Sequence, residues 1–120
     1  MLDKILTGLL GLLENLRSDR THSQDKKDLA VSSILMVVNE TKIYLKRVQQ
    51  SSKRNRTTEE KLSRLWAAAA VPLRRFNKDL AERCLSKSDY WLNPEHYTSS
   101  DIQKLRISLD QVYKEAKNMF

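Results

Sequence analysis

Residues 62–84 have the sequence LSRLWAAAAVPLRRFNKDLAERC, and this stretch decides the fold class. Its apolar residues recur at alternating steps of three and four, at Leu62, Trp66, Ala69, Leu73, Phe76, Leu80 and Cys84. That spacing places them along one face of a helix, whereas a strand would alternate at every second residue. The stretch therefore predicts a helix over 58–86 that packs its apolar face against other helices.

The same spacing occurs in three further segments, which predict helices over 2–18, 26–50 and 100–118. Their apolar stripes comprise Leu2, Leu6, Leu9, Leu13 and Leu16, then Val31, Ile34, Val38, Thr41, Leu45 and Val48, then Ile102, Leu105, Leu109, Val112, Ala116 and Met119. Short polar connectors favour antiparallel neighbours. We therefore predict an all-α fold, a four-helix antiparallel bundle with up-down-up-down order. A length of 120 residues suits a single helical-bundle domain over 1–120.

Pro72 lies inside the third predicted helix. Proline removes one backbone hydrogen bond and clashes with the carbonyl four residues earlier, at Ala68. Because the apolar spacing continues through this point, we predict that the third helix is kinked at Pro72 rather than broken.

Two pairs of residues have the spacing of a capping box, in which a hydroxyl and a longer side chain satisfy free amides at a helix start. Thr57 with Glu60 predicts the start of the third helix. Ser100 with Gln103 predicts the start of the fourth.

The composition excludes several classes of chemistry. Two glycines leave no glycine-rich phosphate loop, and one cysteine excludes an intramolecular disulfide or a cysteine-based zinc site. The two histidines, His22 and His96, lie far apart in the sequence, and a zinc site would need at least one more good ligand. We expect no metal, no cofactor and no enzymatic activity.

The positive charge is concentrated in one part of the chain. The net charge is +7, from 22 basic and 15 acidic residues. The stretch 42–56 contains no acid and six bases, namely Lys42, Lys46, Arg47, Lys53, Arg54 and Arg56. Such a stretch attracts an acidic protein surface or a polyanion, although it also suits a solvated helix end and loop.

The last connector, 87–98, contains four rings: Tyr90, Trp91, His96 and Tyr97. Such residues suit either a binding hot spot or a cap packed over the end of the bundle. Combined with the basic stretch, they predict a non-enzymatic protein-interaction module of adaptor or regulatory type. The expected partner-binding residues are Tyr90, Trp91, Tyr97, Lys46, Arg47, Arg54 and Arg56.

Nucleic-acid binding is the alternative function. A basic stripe across the second and third predicted helices would hold phosphates by charge. Its residues would be Lys42, Lys46, Arg47, Lys53, Arg54, Arg56, Lys61, Arg64, Arg74, Arg75 and Lys78.

A third possibility rests on Arg17 and His22, whose Arg-x4-His spacing resembles that of the HEPN family of ribonucleases. The family is also built of small helical bundles. It carries this motif on a late helix, whereas here the pair falls after the first predicted helix.

The beginning of the chain does not have the features of a signal peptide. Asp3 occupies the region that should be positive, Thr7 interrupts the apolar run, and no small-residue cleavage site follows. We therefore expect a cytoplasmic protein that does not bind membranes. The leucine stripe of 2–18 also makes a homodimer a possible arrangement.

Overall fold

The computed structural model describes residues 23–120, and its regular elements there are all helical. This part of the chain contains five α-helices and one 3-10 turn at Pro94–His96. The α-helices are α1 (Ser23–Ser51), α2 (Arg56–Leu73), α3 (Lys78–Leu92), α4 (Ser99–Leu105) and α5 (Leu109–Met119). The all-α prediction is confirmed, and α1 corresponds to the predicted helix 26–50. The predicted helix 2–18 lies outside the described residues.

The predicted kinked helix over 58–86 is wrong, because the chain forms two helices there. α2 ends at Leu73, directly after Pro72, and α3 begins at Lys78. The amides of Phe76 and Asn77 both donate to the Leu73 carbonyl and close the turn. The Asn77 side chain then caps α3 by accepting from the Leu80 amide at 2.9 Å.

α2 and α3 lie side by side in opposite directions. The Ser63 hydroxyl donates to the Ser88 carbonyl at 2.7 Å, and the Ser88 hydroxyl donates to the Ser63 carbonyl at 2.7 Å. In one straight helix these two residues would be about 37 Å apart, at ~1.5 Å per residue. The apolar spacing continues through the turn because both helices face the same core.

The predicted capping boxes are also wrong, by two residues each. Asn55 caps α2 by accepting from the Thr58 amide at 3.0 Å, consistent with the preference for Asn over Thr at this position. At α4 a capping box is present, but it is formed by Thr98 and Asp101.

The predicted helix over 100–118 is divided as well. Arg106 adopts a left-handed conformation with φ 54° and ψ 43°, which ends α4. Ile107 then enters the core, and Ser108 caps α5 through the Gln111 amide.

The core is centred on Trp66, which is fully buried. Its indole Nε1 donates to the Thr41 hydroxyl at 3.1 Å, so α1 and α2 are joined through the core. α2 also packs against α3, and α5 contacts both α1 and α3. The up-down-up-down order of four helices stays a prediction, because it includes residues 2–18. Within residues 23–120, no helix is long and apolar enough to cross a membrane.

Candidate partner-binding site at the connector end

The connector between α1 and α2 is held by a buried carboxylate. Glu59, in the first turn of α2, is buried, and both of its oxygens accept hydrogen bonds. Arg54 donates from Nε and Nη2 at 2.7 and 2.8 Å, which makes the pair bidentate. The Tyr44 hydroxyl donates to the same carboxylate at 2.5 Å and accepts from the Asn55 amide at 3.0 Å.

These contacts keep Glu59 ionised. Burial alone would raise the pKa of the Glu59 carboxyl, but hydrogen bonds from Arg54 and Tyr44 outweigh it, and the net shift is downward. The pKa of Tyr44 is raised, first by burial and then by its bond to Glu59. Glu59 is therefore an anion whose hydrogen bonds order the connector.

Arg56 links the same network to α3. Its Nη1 donates to Glu59 at 3.2 Å and to the Trp91 carbonyl at 2.9 Å, and its Nη2 donates to the Leu92 carbonyl. A cation at the last carbonyls of a helix complements its negative pole. The beginning of α2 and the end of α3 are therefore fixed at one end of the molecule, which we call the connector end.

The basic side chains at the connector end differ in how they are held. Arg54 and Arg56 are ordered by their bonds but remain 55% and 47% exposed. Lys46 and Lys53 are exposed, and no carboxylate of residues 23–120 lies within 4 Å of either ammonium group. Arg47 is exposed on the same helix end and already has an interaction partner.

Trp91 is not a surface residue. The prediction that Trp91 itself binds the partner is therefore wrong. It is 3% exposed and packs edge-on against Tyr44, with ring centroids 5.8 Å apart. Its indole Nε1 has no acceptor within residues 23–120. A large ring beside an apolar helix face gains more from entering the core than from remaining in water.

The predicted connector 87–98 begins later than expected, because Tyr90 and Trp91 lie in the last turn of α3. Tyr90 and Tyr97 form a cap over Trp91. Tyr90 lies 5.1 Å from Trp91 and 5.6 Å from Tyr97, in both cases edge to face. The Tyr97 hydroxyl donates to Asp89. Burial first, and then this bond, raise the pKa of Tyr97 to about 12. Tyr90 and Tyr97 remain partly exposed beside the connector, while His96 is exposed.

The structure thus brings the predicted partner-binding residues to the connector end of the molecule. Two residues that order this end, Glu59 and Tyr44, were not predicted from the sequence as residues of this site. Tyr44 was missed because the predicted stripe of α1 ran through Leu45, which is exposed, whereas Tyr44 is buried. The i+3 step from Thr41 to Tyr44 was the available signal.

A third missed residue is Lys87, which lies buried beside the same rings. It is 6% exposed, and its ammonium group lies 5.1 Å from the Tyr90 centroid and 5.7 Å from that of Trp91. Burial lowers the pKa of Lys87 to about 8.

The residues of the predicted basic stripe are spread along the length of α2. Arg74, Arg75 and Lys78 lie at the turn between α2 and α3, about 27 Å along α2 from the connector at ~1.5 Å per residue. Between Arg64 and Arg74, α2 contains no cation, and Val71 is its exposed residue there.

Other members of that stripe already have partners. Lys42 lies 3.6 Å above the Tyr113 ring, and Lys61 is half-buried with a partner of its own. Some of these cations thus lie near the connector end, others lie at the turn, and Arg64 lies between them on α2. One continuous basic stripe stays a prediction.

The described residues bear on the metal prediction only in part, and they do not include the Arg-x4-His motif. Within residues 23–120, no three His, Cys, Asp or Glu side chains are grouped so that they could hold a metal ion. Arg17 and His22 lie outside the described residues. No protein-family model matches the chain, and no curated protein or solved structure is significantly similar to it.

Proposed function

We propose that the protein is a non-enzymatic interaction module that binds an acidic surface of a protein partner through its connector end. The observation that carries the proposal is that Glu59 orders Arg54 and Arg56 while leaving their charged groups half exposed. Side chains that are already ordered lose less conformational entropy on binding. An adaptor or regulatory role in the cytoplasm is part of the proposal.

The rings beside these cations would supply apolar contact. Tyr90 and Tyr97 are partly exposed and are held in place by edge-to-face packing. Tyrosine and arginine are enriched among the residues that dominate binding energy at protein interfaces. Trp91 supports these rings from the core and does not itself touch the partner.

Capture of partners from the source cells by the tagged full-length chain tests the proposal. The double variant Lys46→Glu/Lys53→Glu reverses two exposed charges at the connector end without touching the Glu59 network. The matched control is Lys104→Glu/Lys114→Glu, which changes the same charge on α4 and α5. We expect the first variant to lose partner capture and the control to keep it. Equal capture by both would contradict the proposal.

Nucleic-acid binding is the second candidate, supported by exposed cations such as Lys53, Arg64 and Arg75. Titration with labelled duplex and single-stranded oligonucleotides at low and moderate salt tests it, because phosphate contacts weaken steeply with salt. Absence of binding at low salt would exclude it. If RNA is cleaved, an unchanged rate in His22→Ala would exclude the ribonuclease alternative.

A homodimer remains part of the proposal as a possible arrangement. Light scattering over a wide range of concentrations tests it, and a constant mass of 14.0 kDa would exclude it.

A further inference from the structure

An apolar cleft lies between α2 and α3, near the turn that joins them and away from the connector end. Its volume is about 200 Å³. Two buried small residues, Ala70 and Ala81, form its floor. Val71 and Leu85 form its walls and are 55% and 53% exposed. Val71 and Leu85 thus place two exposed aliphatic side chains beside two buried alanines in one cleft.

The lining of the cleft suits the apolar side chains of a third helix. α2 and α3 are antiparallel neighbours, and the cleft lies between them beside the turn. Small residues at the floor let another backbone approach closely, while larger residues on either side fit between the side chains of the incoming helix. An amphipathic helix binds such a groove with apolar residues at steps of three and four.

The rim of the cleft is basic. Arg74 and Lys78 line it, Arg75 lies next to it on the turn, and Glu82 is the one acid in its lining. No carboxylate of residues 23–120 lies within 4 Å of the cationic groups of Arg74, Arg75 or Lys78. These charges therefore have no carboxylate partner within the described residues, whereas Arg54 and Arg56 are paired with Glu59 and keep only about half of their side-chain surface exposed.

The same charges argue against a second copy of the chain as the occupant. Two copies meeting face to face across this cleft would bring like-charged rims together, which is unfavourable. A helix with acidic residues beside its apolar stripe would place opposite charges against the rim. We propose that the α2–α3 cleft is a second binding surface, separate from the connector end, and that it takes an acidic amphipathic helix of a protein partner.

Titration of the full-length protein with a fluorescent three-heptad peptide tests this proposal. The peptide has leucine at the a and d positions and glutamate at the flanking positions, and a second peptide has lysine in place of each glutamate. We expect the glutamate peptide to bind and the lysine peptide to bind at least about tenfold more weakly. Failure of the glutamate peptide to bind, or equal binding of both peptides, would overturn the proposal.

Two variants locate the binding. Leu85→Asp removes an apolar wall at an exposed position, so the fold is retained, and binding of the glutamate peptide should weaken about tenfold. Arg74→Glu/Lys78→Glu should shift the preference toward the lysine peptide. Unchanged binding in both variants would overturn the proposal, as would a dimer in light scattering that Leu85→Asp dissociates.

The connector-end variant Lys46→Glu/Lys53→Glu separates this proposal from the proposed function. It should bind the glutamate peptide as the unchanged protein does, because its substitutions lie at the other end of α2. Loss of peptide binding in that variant would assign the peptide to the connector end and overturn the cleft proposal.

Discussion

Replacement of Lys87 by methionine should stabilise the protein. Lys87 occupies a buried position on α3, and its ammonium group lies over the rings of Tyr90 and Trp91. An ammonium group in such surroundings loses hydration that two ring faces replace only in part. Methionine has a similar length and flexibility but no charge, so it fills the same space without that loss.

The magnitude follows from the pKa of Lys87, which burial lowers from 10.5 to about 8. At ~1.4 kcal/mol per pKa unit, this fall corresponds to about 3 kcal/mol of destabilisation while the group is charged. Loss of the contacts with Tyr90 and Trp91 offsets about 1 kcal/mol of the gain. We therefore expect Lys87→Met to raise the free energy of unfolding by about 2 kcal/mol at neutral pH.

The gain in stability from Lys87→Met should change with pH in one direction. Below pH 8 the lysine is charged in both the folded and the unfolded chain, so the destabilisation is fully present. As the pH rises from about 8 toward 10.5, the folded protein releases the proton first, and the destabilisation is progressively lost. The advantage of Lys87→Met should therefore shrink over this range.

Urea unfolding followed by circular dichroism at neutral pH and at about pH 9.5 measures both effects. Lys114→Met, at an exposed position on α5, is the matched control and should change stability little at either pH. A destabilised Lys87→Met at neutral pH, or a difference from the unchanged protein that is the same at both pH values, would refute the reasoning.

Three further substitutions test the contacts described above. Glu59→Gln should lower the free energy of unfolding by about 2–3 kcal/mol. This loss is smaller than that from breaking a fully buried ion pair, because Arg54 is half exposed. The pKa of Glu59 is lowered in the folded protein, so the stabilisation by its ionised carboxylate should be lost as the pH falls through the acid range. The free energies of unfolding of Glu59→Gln and of the unchanged protein, measured against pH, should therefore converge at acid pH. Trp91→Ala should lower the free energy of unfolding by about 3 kcal/mol in urea, whereas a binding role without a core role would leave stability unchanged. Ser52 has a φ of 57°, so Ser52→Gly should raise the thermal midpoint and add roughly 0.5–1 kcal/mol, and a fall in the midpoint would contradict this.

The sequence was sufficient to identify most of the core, but not the path of the chain through it. In 62–84 the spacing correctly marked Leu62, Trp66 and Leu80 as buried, while Phe76 lies partly exposed at the turn. A periodic face looks the same whether the helix continues or folds back. The sequence signal for a turn at this point was Pro72 followed by Asn77. Proline ends one helix, and asparagine caps the start of the next.

The candidate site shows a different limit of prediction from the sequence. The sequence located its cations, but whether a cation is available depends on pairings between distant residues. Glu59 binds Arg54 because the connector folds over the beginning of α2, and Arg56 reaches the Trp91 carbonyl, 35 residues away, because α3 returns to the same end. Neither contact has a local sequence pattern. The burial of Trp91 likewise depends on the packing of α3 against Tyr44.

This difference in pairing gives the two ends of α2 different roles in recognition. At the connector end, Glu59 and helix carbonyls already accept the hydrogen bonds of Arg54 and Arg56, so a partner there gains from fixed geometry more than from new ion pairs. At the turn, Arg74 and Lys78 have no such partners, and an acidic helix would gain charge contacts that the free protein lacks. Binding at the turn should therefore weaken more steeply with added salt than binding at the connector end, because mobile exposed charges are screened most strongly.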